Sequence, residues 1–425
     1  MKAPQLPQKG NLFVQALQGK LSFDELSAQQ DANTPLGPLH TGRYFVLFDE
    51  KEADFKNFKN LLHEKVGMQT ASLGDFKAES FNQSKIQSAD ALIYDNYRIA
   101  LIGGEKEQMA LVKNLNFKGR LVPEKIVSIP EDRPSLLPYD IAQKFTWGIE
   151  SIQALASQYE GKGVKIAVLD TGIDAAHPHF KNRTIISQSF VPGESPQDGQ
   201  GHGTHCIGTA GGGKNDKGVR YGVASESELY SFKVLSNRGC GAQSWILEGL
   251  EAADQQEVDV VSLSLGSDVS VGEAYDPIYE RAFNRIKAIA VVAAGNESRR
   301  SRGLISPVGS PANCPSVLAI GAIDIHMKIA EFSCGSINEN QSVALSAPGV
   351  NVYSSWPTAL GDGSGTKTIS GTSMATPHVA GVVAQYIEAY PEASKEEIKK
   401  KLLQSAKKLS LPKSDMGAGL VQSPV

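Results

Sequence analysis

The chain has 425 residues, 41% hydrophobic and 21% charged, with a net charge of −4. That length allows about two or three domains with a large core, and the mild acidity argues against a general attraction to nucleic acid or anionic lipid. No apolar run approaches the roughly 18 residues of a membrane span, and four irregularly spaced cysteines with no CxxC pair argue against a disulfide scaffold or structural zinc.

Residues 1–42 are polar, punctuated by Pro and Gly, and read as a leader to the first folded unit. The opening MKAPQLPQKGNLFVQALQGK holds no apolar segment of secretory length, which leaves the compartment undetermined. From RYFVLFDE (43–50) the pattern becomes strand-like. ADFKNFKNLLHEKV then places Phe55, Phe58, Leu61, Leu62 and Val66 on one helical face. A hairpin around ALIYDNYRIALI, a helix near 105–116 and a strand in GRLVPEKIVSI follow. The order strand-helix-strand-strand-helix-strand predicts a small ferredoxin-like α+β domain over 43–129. PEDRPSLLPYD, with three prolines, predicts an exposed extended linker over 130–141.

Residues 142–425 alternate differently. VKIAVLD, ELYSFKVL, VDVVSLSLG, AIAVVAAGN and SVLAIGAI are short apolar runs separated by helical or Gly-rich stretches. They predict an α/β domain whose mostly parallel sheet is flanked by helices. Functional side chains in such sheets gather at the carboxyl ends of strands. Near the C-terminus, SKEEIKKKLLQSAKK has Ser394 and Glu397 at capping-box spacing, and Ile398, Leu402 and Leu403 on one face, so it reads as an amphipathic helix.

Three polar groups sit where chemistry is expected. Asp170 ends VKIAVLD. His202 lies in GQGHGTHCIGT, where glycines are expected to turn the backbone and bring the ring forward. ISGTSMATPHVAG (369–381) offers four hydroxyls, of which Ser373 lies between a Gly-containing turn and a small-residue helix. Pro377 is expected in the first turn of that helix, where proline is tolerated. A serine hydroxyl is a poor nucleophile until an imidazole takes its proton and a carboxylate holds that imidazole in the right tautomer. A helix N-terminus under the serine adds partial positive charge, and Asn296, after VVAAG, supplies an amide donor for a developing oxyanion. Ser370, Thr372 and Thr376 read as turn or capping hydroxyls, and His177, His205 and His378 as packing imidazoles. Taken singly, an Asp at a strand end or a Ser before a helix is a cap.

VLDTGID, GHGTHCIGT, SLSLG, AAGNE and GTSMATPHVAG, in this order, resemble the subtilisin-like serine proteases over about residues 140–425. The resemblance implies a serine endopeptidase in which Asp170 orients His202, His202 is the base, Ser373 is the nucleophile and Asn296 stabilises the oxyanion. It implies polypeptide substrates held in extended form between Gly239-Cys240-Gly241 and Ser264-Leu265-Gly266 by main-chain hydrogen bonds. Ala294-Gly295 is similar to one wall of the family's main specificity pocket and Gly309 to its floor. A glycine floor implies a large apolar or aromatic residue before the scissile bond. Cys206 reads first as a small buried hydrophobe; it also stands as in the proteinase K-like branch, a resemblance that implies a bulky mercurial there would disturb His202.

The chemistry needs no cofactor. The resemblance does imply a structural calcium site, with Gln143 aligning with a ligand and KNDKGV (214–219), with Asn215 and Asp216, resembling the ligand loop. That loop is one residue longer than the family's, His179 replaces a common ligand Asp, and Ala344 stands at a weaker cation site. The N-terminal unit resembles the family's inhibitory propeptide, which implies a self-processed zymogen cut between about 128 and 142 and inhibited by its own N-terminal domain. A monomer without nucleic-acid partner or membrane span is expected.

Other classes fare worse. GTAGGGKN (208–215) nearly spells a phosphate loop, but Asn215 replaces the magnesium-binding hydroxyl. NESRRSRG (296–303) reads as a solvated basic loop. The alternatives within the resemblance are dedicated maturation of one precursor and a degenerate peptide-binding protein; the latter is disfavoured because all four reaction residues are present.

Overall fold

The computed structural model describes residues 39–48, 52–75, 89–103, 106–129, 133–134, 144–181 and 183–425. The leader up to residue 38, Gln143 and all of the 130–141 linker except 133–134 lie outside the described residues. The chain divides into two units, Met1–Ile126 with Ala242–Leu247, and Val127–Gly241 with Glu248–Val425.

The first unit is built from β1 (His40–Phe48), α1 (Glu52–Leu61, continued by a π-helical turn at Leu62–Val66), β2 (Thr70–Ser72), β3 (Ala91–Tyr94), β4 (Ile99–Ile102), α2 (Lys106–Asn114) and most of β5 (Gly119–Ser128). Its strands lie in the order β5-β1-β4-β3-β2. β1 is antiparallel to both neighbours, with Phe45 opposite Leu101 and Val122. The apolar face of ADFKNFKNLLHEKV turns inward as its spacing requires, with Phe55, Phe58, Leu62 and Val66 buried. Phe58 is the hub, its ring 5.0 Å from that of Phe48 and 4.7 Å from that of Phe117. Aromatic pairs at such separations add stabilisation beyond their buried area. Glu124, fully buried, is neutralised by Arg43, whose Nε and Nη2 lie 2.7 and 3.0 Å from its oxygens, and also receives the Ser244 N–H at 3.0 Å.

The second unit follows with β6 (Arg133–Pro134), α3 (Trp147–Ser151), β7 (Lys165–Asp170), β8 (Ile185–Ser189), α4 (His202–Gly211), β9 (Glu228–Lys233) and β10 (Cys240–Ala242). Next come α5 (Gln243–Gln255), β11 (Val260–Leu263), α6 (Pro277–Phe283), β12 (Ile289–Ala293), β13 (Leu318–Ile323), β14 (Leu345–Pro348), β15 (Val352–Ser355) and β16 (Thr366–Ser370). Three helices close the chain, α7 (Thr372–Ala389), α8 (Lys395–Ser405) and α9 (Lys413–Met416). A seven-stranded sheet runs β14-β13-β12-β11-β7-β9-β8, with every pair parallel. Its central strands are buried on both faces, which is why they read as continuous apolar runs. Chain direction across the sheet reverses between β7 and β11, and a crevice outside the carboxyl ends of strands opens at such a point. The long helix α7 packs on β11 to β14 and on α4. Ser394 and Glu397 form the expected capping box at the start of α8. Among the described residues no helix is long and apolar enough to cross a membrane.

The turn expected before His202 is made by Gly201, the N-cap of α4 at φ +109°, and His202 is the first residue of that helix. One local expectation needs correction. Pro377 is not in the first turn of its helix. α7 begins at Thr372, so Pro377 is its sixth residue and deprives the Ser373 carbonyl of an intrahelical N–H. The sequence reading also passed over β8, β14, β15 and β16, whose runs (IISQS, LSAP, VYSS, TKTIS) are short or polar.

Candidate active site

Strand β7 delivers Asp170 to the switch point of the sheet, 1% exposed. Its Oδ1 and Oδ2 lie 2.8 and 2.9 Å from Nδ1 of His202, which opens α4 and is equally buried. A carboxylate can only accept, so Nδ1 carries the proton and Nε2 is the basic nitrogen of the ring. The Thr171 N–H gives Asp170 Oδ1 a further bond at 2.7 Å.

Ser373 is the second residue of α7 and fully buried. The carbonyl that Pro377 orphans is taken up from outside the helix, by Ser264 Oγ at 2.8 Å and the Cys206 thiol at 3.6 Å. Cys206 Sγ is also 3.8 Å from Nδ1 of His202, so one small side chain touches both the serine residue and the imidazole. Burial and the neighbouring Asp170 push the Cys206 thiol up to about 11, against the pull of His202, so it is a neutral thiol at physiological pH. Asn296 follows β12. Its Oδ1 accepts both the N–H and the hydroxyl of Thr372, at 2.9 and 2.8 Å. A backbone N–H cannot accept, so the oxygen end of this amide is fixed there and Nδ2 is its donor end. The structure thus joins Asp170 to His202 directly, links His202 to the Ser373 main chain through Cys206, and ties Asn296 to Thr372, the residue before Ser373.

The two expected walls of an extended-peptide groove already carry main chain. Ser128 and Gly266 exchange two hydrogen bonds, 3.0 and 2.9 Å, and the Ile129 N–H reaches the Gly239 carbonyl at 2.9 Å. Gly239 has φ +77°, and a Cβ there would lie 2.9 Å from the Ile129 side chain. Farther along, Arg133–Pro134 pair antiparallel with Ile369–Ser370, just before Ser373. Cys240 and Gly241 belong to β10 beside this path, and Leu265 is fully buried behind it.

A cavity opens beside the groove, lined by Gly266, Asp268, Gly295, Glu297 and Gly309. Gly295 and Gly309, expected as wall and floor of a pocket, both line this cavity, whereas Ala294 is fully buried. The sequence reading missed Glu297, although it directly follows Asn296. Burial raises its carboxyl above the ordinary range and Asp268 adds to this, opposed by a hydrogen bond from the Cys334 thiol at 3.1 Å.

The candidate calcium donors are less convergent. Asn215 Oδ1 accepts the N–H groups of Lys217 and Val219, at 3.0 and 2.9 Å, and its Nδ2 donates to Tyr353. Asp216 is exposed, and His179 Nδ1 is engaged with the Tyr221 hydroxyl at 3.0 Å. Gln143, the remaining candidate donor, lies outside the described residues.

Comparison with known proteins agrees with this geometry. Residues 161–420 match the family described as Peptidase_S8, the subtilase family. The chain is 37% identical to subtilisin E of Bacillus subtilis over 306 residues, 69% of this chain and 76% of that protein. It is 38% identical to an intracellular serine protease of Paenibacillus polymyxa over 267 residues, 60% of this chain and 78% of that one. Subtilisin BL of Lederbergia lenta is 40% identical over 287 residues, covering 66% and 98%.

Proposed function

The chain belongs to the subtilase family and is a subtilisin-like serine endopeptidase, and from that premise we propose that Asp170, His202 and Ser373 are its catalytic triad and that it is made as a self-inhibited zymogen. In this reading Ser373 Oγ attacks the scissile carbonyl while His202 Nε2 takes its proton, and Asp170 stabilises the imidazolium. Asn296 Nδ2 and the N-terminus of α7 hold the oxyanion of the tetrahedral intermediate. The C–N bond breaks as His202 returns the proton to the leaving amine, leaving an acyl-Ser373 ester. Water, deprotonated by the same imidazole, then releases the new carboxylate.

The observation that carries the triad is the paired contact of the Asp170 carboxylate with Nδ1 of His202, which fixes the tautomer a base requires. What supports the zymogen is the main chain at Ser128–Ile129, bonded to Gly266 and Gly239 in the manner of a substrate, together with the full burial of Ser373. On this reading residues 43–129 serve as inhibitor and folding aid, 130–141 contain the processing site, and 142–425 form the peptidase. The protease works as a monomer, and the glycine floor at 309 favours a large apolar or aromatic residue before the cut. Cys206 beside the Asp–His pair supports placement near the proteinase K-like branch. Calcium at the 214–219 loop would require Asn215 to exchange its present partners, and no step depends on it; thermal unfolding with and without chelator tests it.

The experiment is incubation of the purified full-length chain, followed by mass spectrometry. Cleavage within 128–142 and its loss in Ser373→Ala are expected. An intact chain that nonetheless hydrolyses peptides would refute the zymogen, and a Ser373→Ala enzyme that still cuts would refute the triad.

A further inference from the structure

The turn after Asp170 is fastened to the first turn of the His202 helix by side chains that take no part in the bond-breaking steps. Thr171 is the junction. Its N–H donates to Asp170, its hydroxyl donates to Asp198 Oδ1 at 2.9 Å and accepts the Gly203 N–H at 2.9 Å, and its carbonyl receives Lys233 Nζ at 2.5 Å. Asp198 is 2% exposed and gathers four more donors. Oδ1 accepts from the Gln200 and Gly201 N–H groups at 3.0 and 2.7 Å. Oδ2 accepts from the N–H and hydroxyl of Thr204 at 2.9 and 2.7 Å. Five donors exceed the roughly four lone-pair sites of a carboxylate, and each belongs to a residue within two positions of Asp170 or His202.

Ordinary helix capping accounts for only part of this. Gly201, the N-cap of α4, has no side chain to offer, and Asp198 replaces the missing cap. The bond from Thr171 is not a cap: it ties the carboxyl end of β7 to the start of α4. Lys233, fully buried, holds the other side of the same residue and is itself fixed by Asn237 at 2.9 Å and Glu194 at 3.2 Å. We propose that Asp198 is a positioning residue for the general base: acting through Thr171 and the first turn of α4, it presets the Asp170–His202 contact before substrate arrives. This rests on His202 being the base.

The test compares Asp198→Asn, Thr171→Val and Thr171→Ser in the full-length enzyme, with an activated ester as substrate, in the wild-type and His202→Ala backgrounds. Misplacing a catalytic group by about an ångström costs about a hundredfold. Asp198→Asn is therefore expected to lower kcat by about that factor, with KM held within about twofold. Thr171→Val is expected to lower kcat about tenfold, and Thr171→Ser, which keeps the hydroxyl, to recover most of that loss. Against His202→Ala the further effect of Asp198→Asn should be under about twofold, because residues acting as one unit are non-additive. An equal loss in both backgrounds, or none in the wild type, would overturn the proposal. Should Asp198→Asn fail to fold, Thr171→Val carries the same comparison. If His202→Ala itself left activity intact, it is the triad that would fall.

Discussion

Pro377 has no N–H to offer the carbonyl of Ser373, four residues earlier in α7, and Ser264 Oγ takes that carbonyl at 2.8 Å. A helix defect thereby becomes a link between the candidate nucleophile and one wall of the groove. Ser264→Ala is expected to destabilise the enzyme by about 1 kcal/mol. The loss should largely vanish in a Pro377→Ala background, where residue 377 regains an N–H for the same carbonyl. Urea unfolding of the two single variants and the double would settle this, since simple additivity would show that the two residues do not share the carbonyl.

Asn296 is held by its oxygen, so its contribution should appear only when negative charge develops on the substrate. Asn296→Ala is expected to lower kcat by about 10²–10³-fold with little change in KM, a range that comes from subtilisin itself rather than from this chain. Steady-state kinetics with one peptide substrate checks it. A rise in KM at constant kcat would instead assign Asn296 to ground-state binding.

If the cavity lined by Gly295, Glu297 and Gly309 takes the side chain before the scissile bond, as proposed, Glu297 gives it a titrating wall. Its carboxyl ionises at higher pH than usual, so the cavity, which already holds the Asp268 carboxylate, gains further negative charge as pH rises. Cleavage after Lys, relative to cleavage after Phe, is therefore expected to increase with pH. Glu297→Gln should flatten that trend, the two differing by about fivefold at the alkaline end, for a pair worth about 1 kcal/mol. Ratios of kcat/KM for two peptides differing only at that position, measured from pH 5 to 9, give the answer.

Cys206, His202 and Asp170 keep their ligand atoms within 4.8 Å of one another. A soft cation such as mercury bound at the Cys206 sulfur would compete for Nδ1 of His202 and break its contact with Asp170. Stoichiometric mercuration is expected to abolish activity, and Cys206→Ala to confer resistance. Full activity of the mercurated enzyme would exclude the coupling.

His205 and His378 are buried as neutral rings, and burial draws them down to about 3 and about 4. In the unfolded chain both bind protons near pH 6.5. Between pH 6.5 and 4 the unfolded state therefore takes up more protons, and stability is lost as pH falls. For His378 this amounts to about 3 kcal/mol, complete near pH 4. Its imidazole donates from Nδ1 to the Met374 carbonyl at 2.8 Å, a bond a side-chain amide can imitate. His378→Gln should therefore shrink the gap in unfolding free energy between pH 7 and pH 4. An unchanged gap would place the acid sensitivity elsewhere.

What the sequence determined by itself was local. Apolar runs located the central strands because those strands are buried on both faces, and Asp170 and Asn296 were legible because they follow such runs directly. Ser394 and Glu397 announced their helix through a spacing of three. The turn at Gly201 was legible beside His202, but the helix that begins at His202 was not, because a glycine-rich run such as GHGTHCIGT has weak helix propensity.

Tertiary structure alone decided the contacts that join distant segments. Thr171 and Asp198 are 27 positions apart, Glu297 and Cys334 are 37 apart, and Ser264 and Ser373 are 109 apart. Periodicity fixes which face a side chain occupies, but not which partner it meets across a crossover. That partner follows from how strands order in the sheet, and a one-dimensional pattern does not carry strand order.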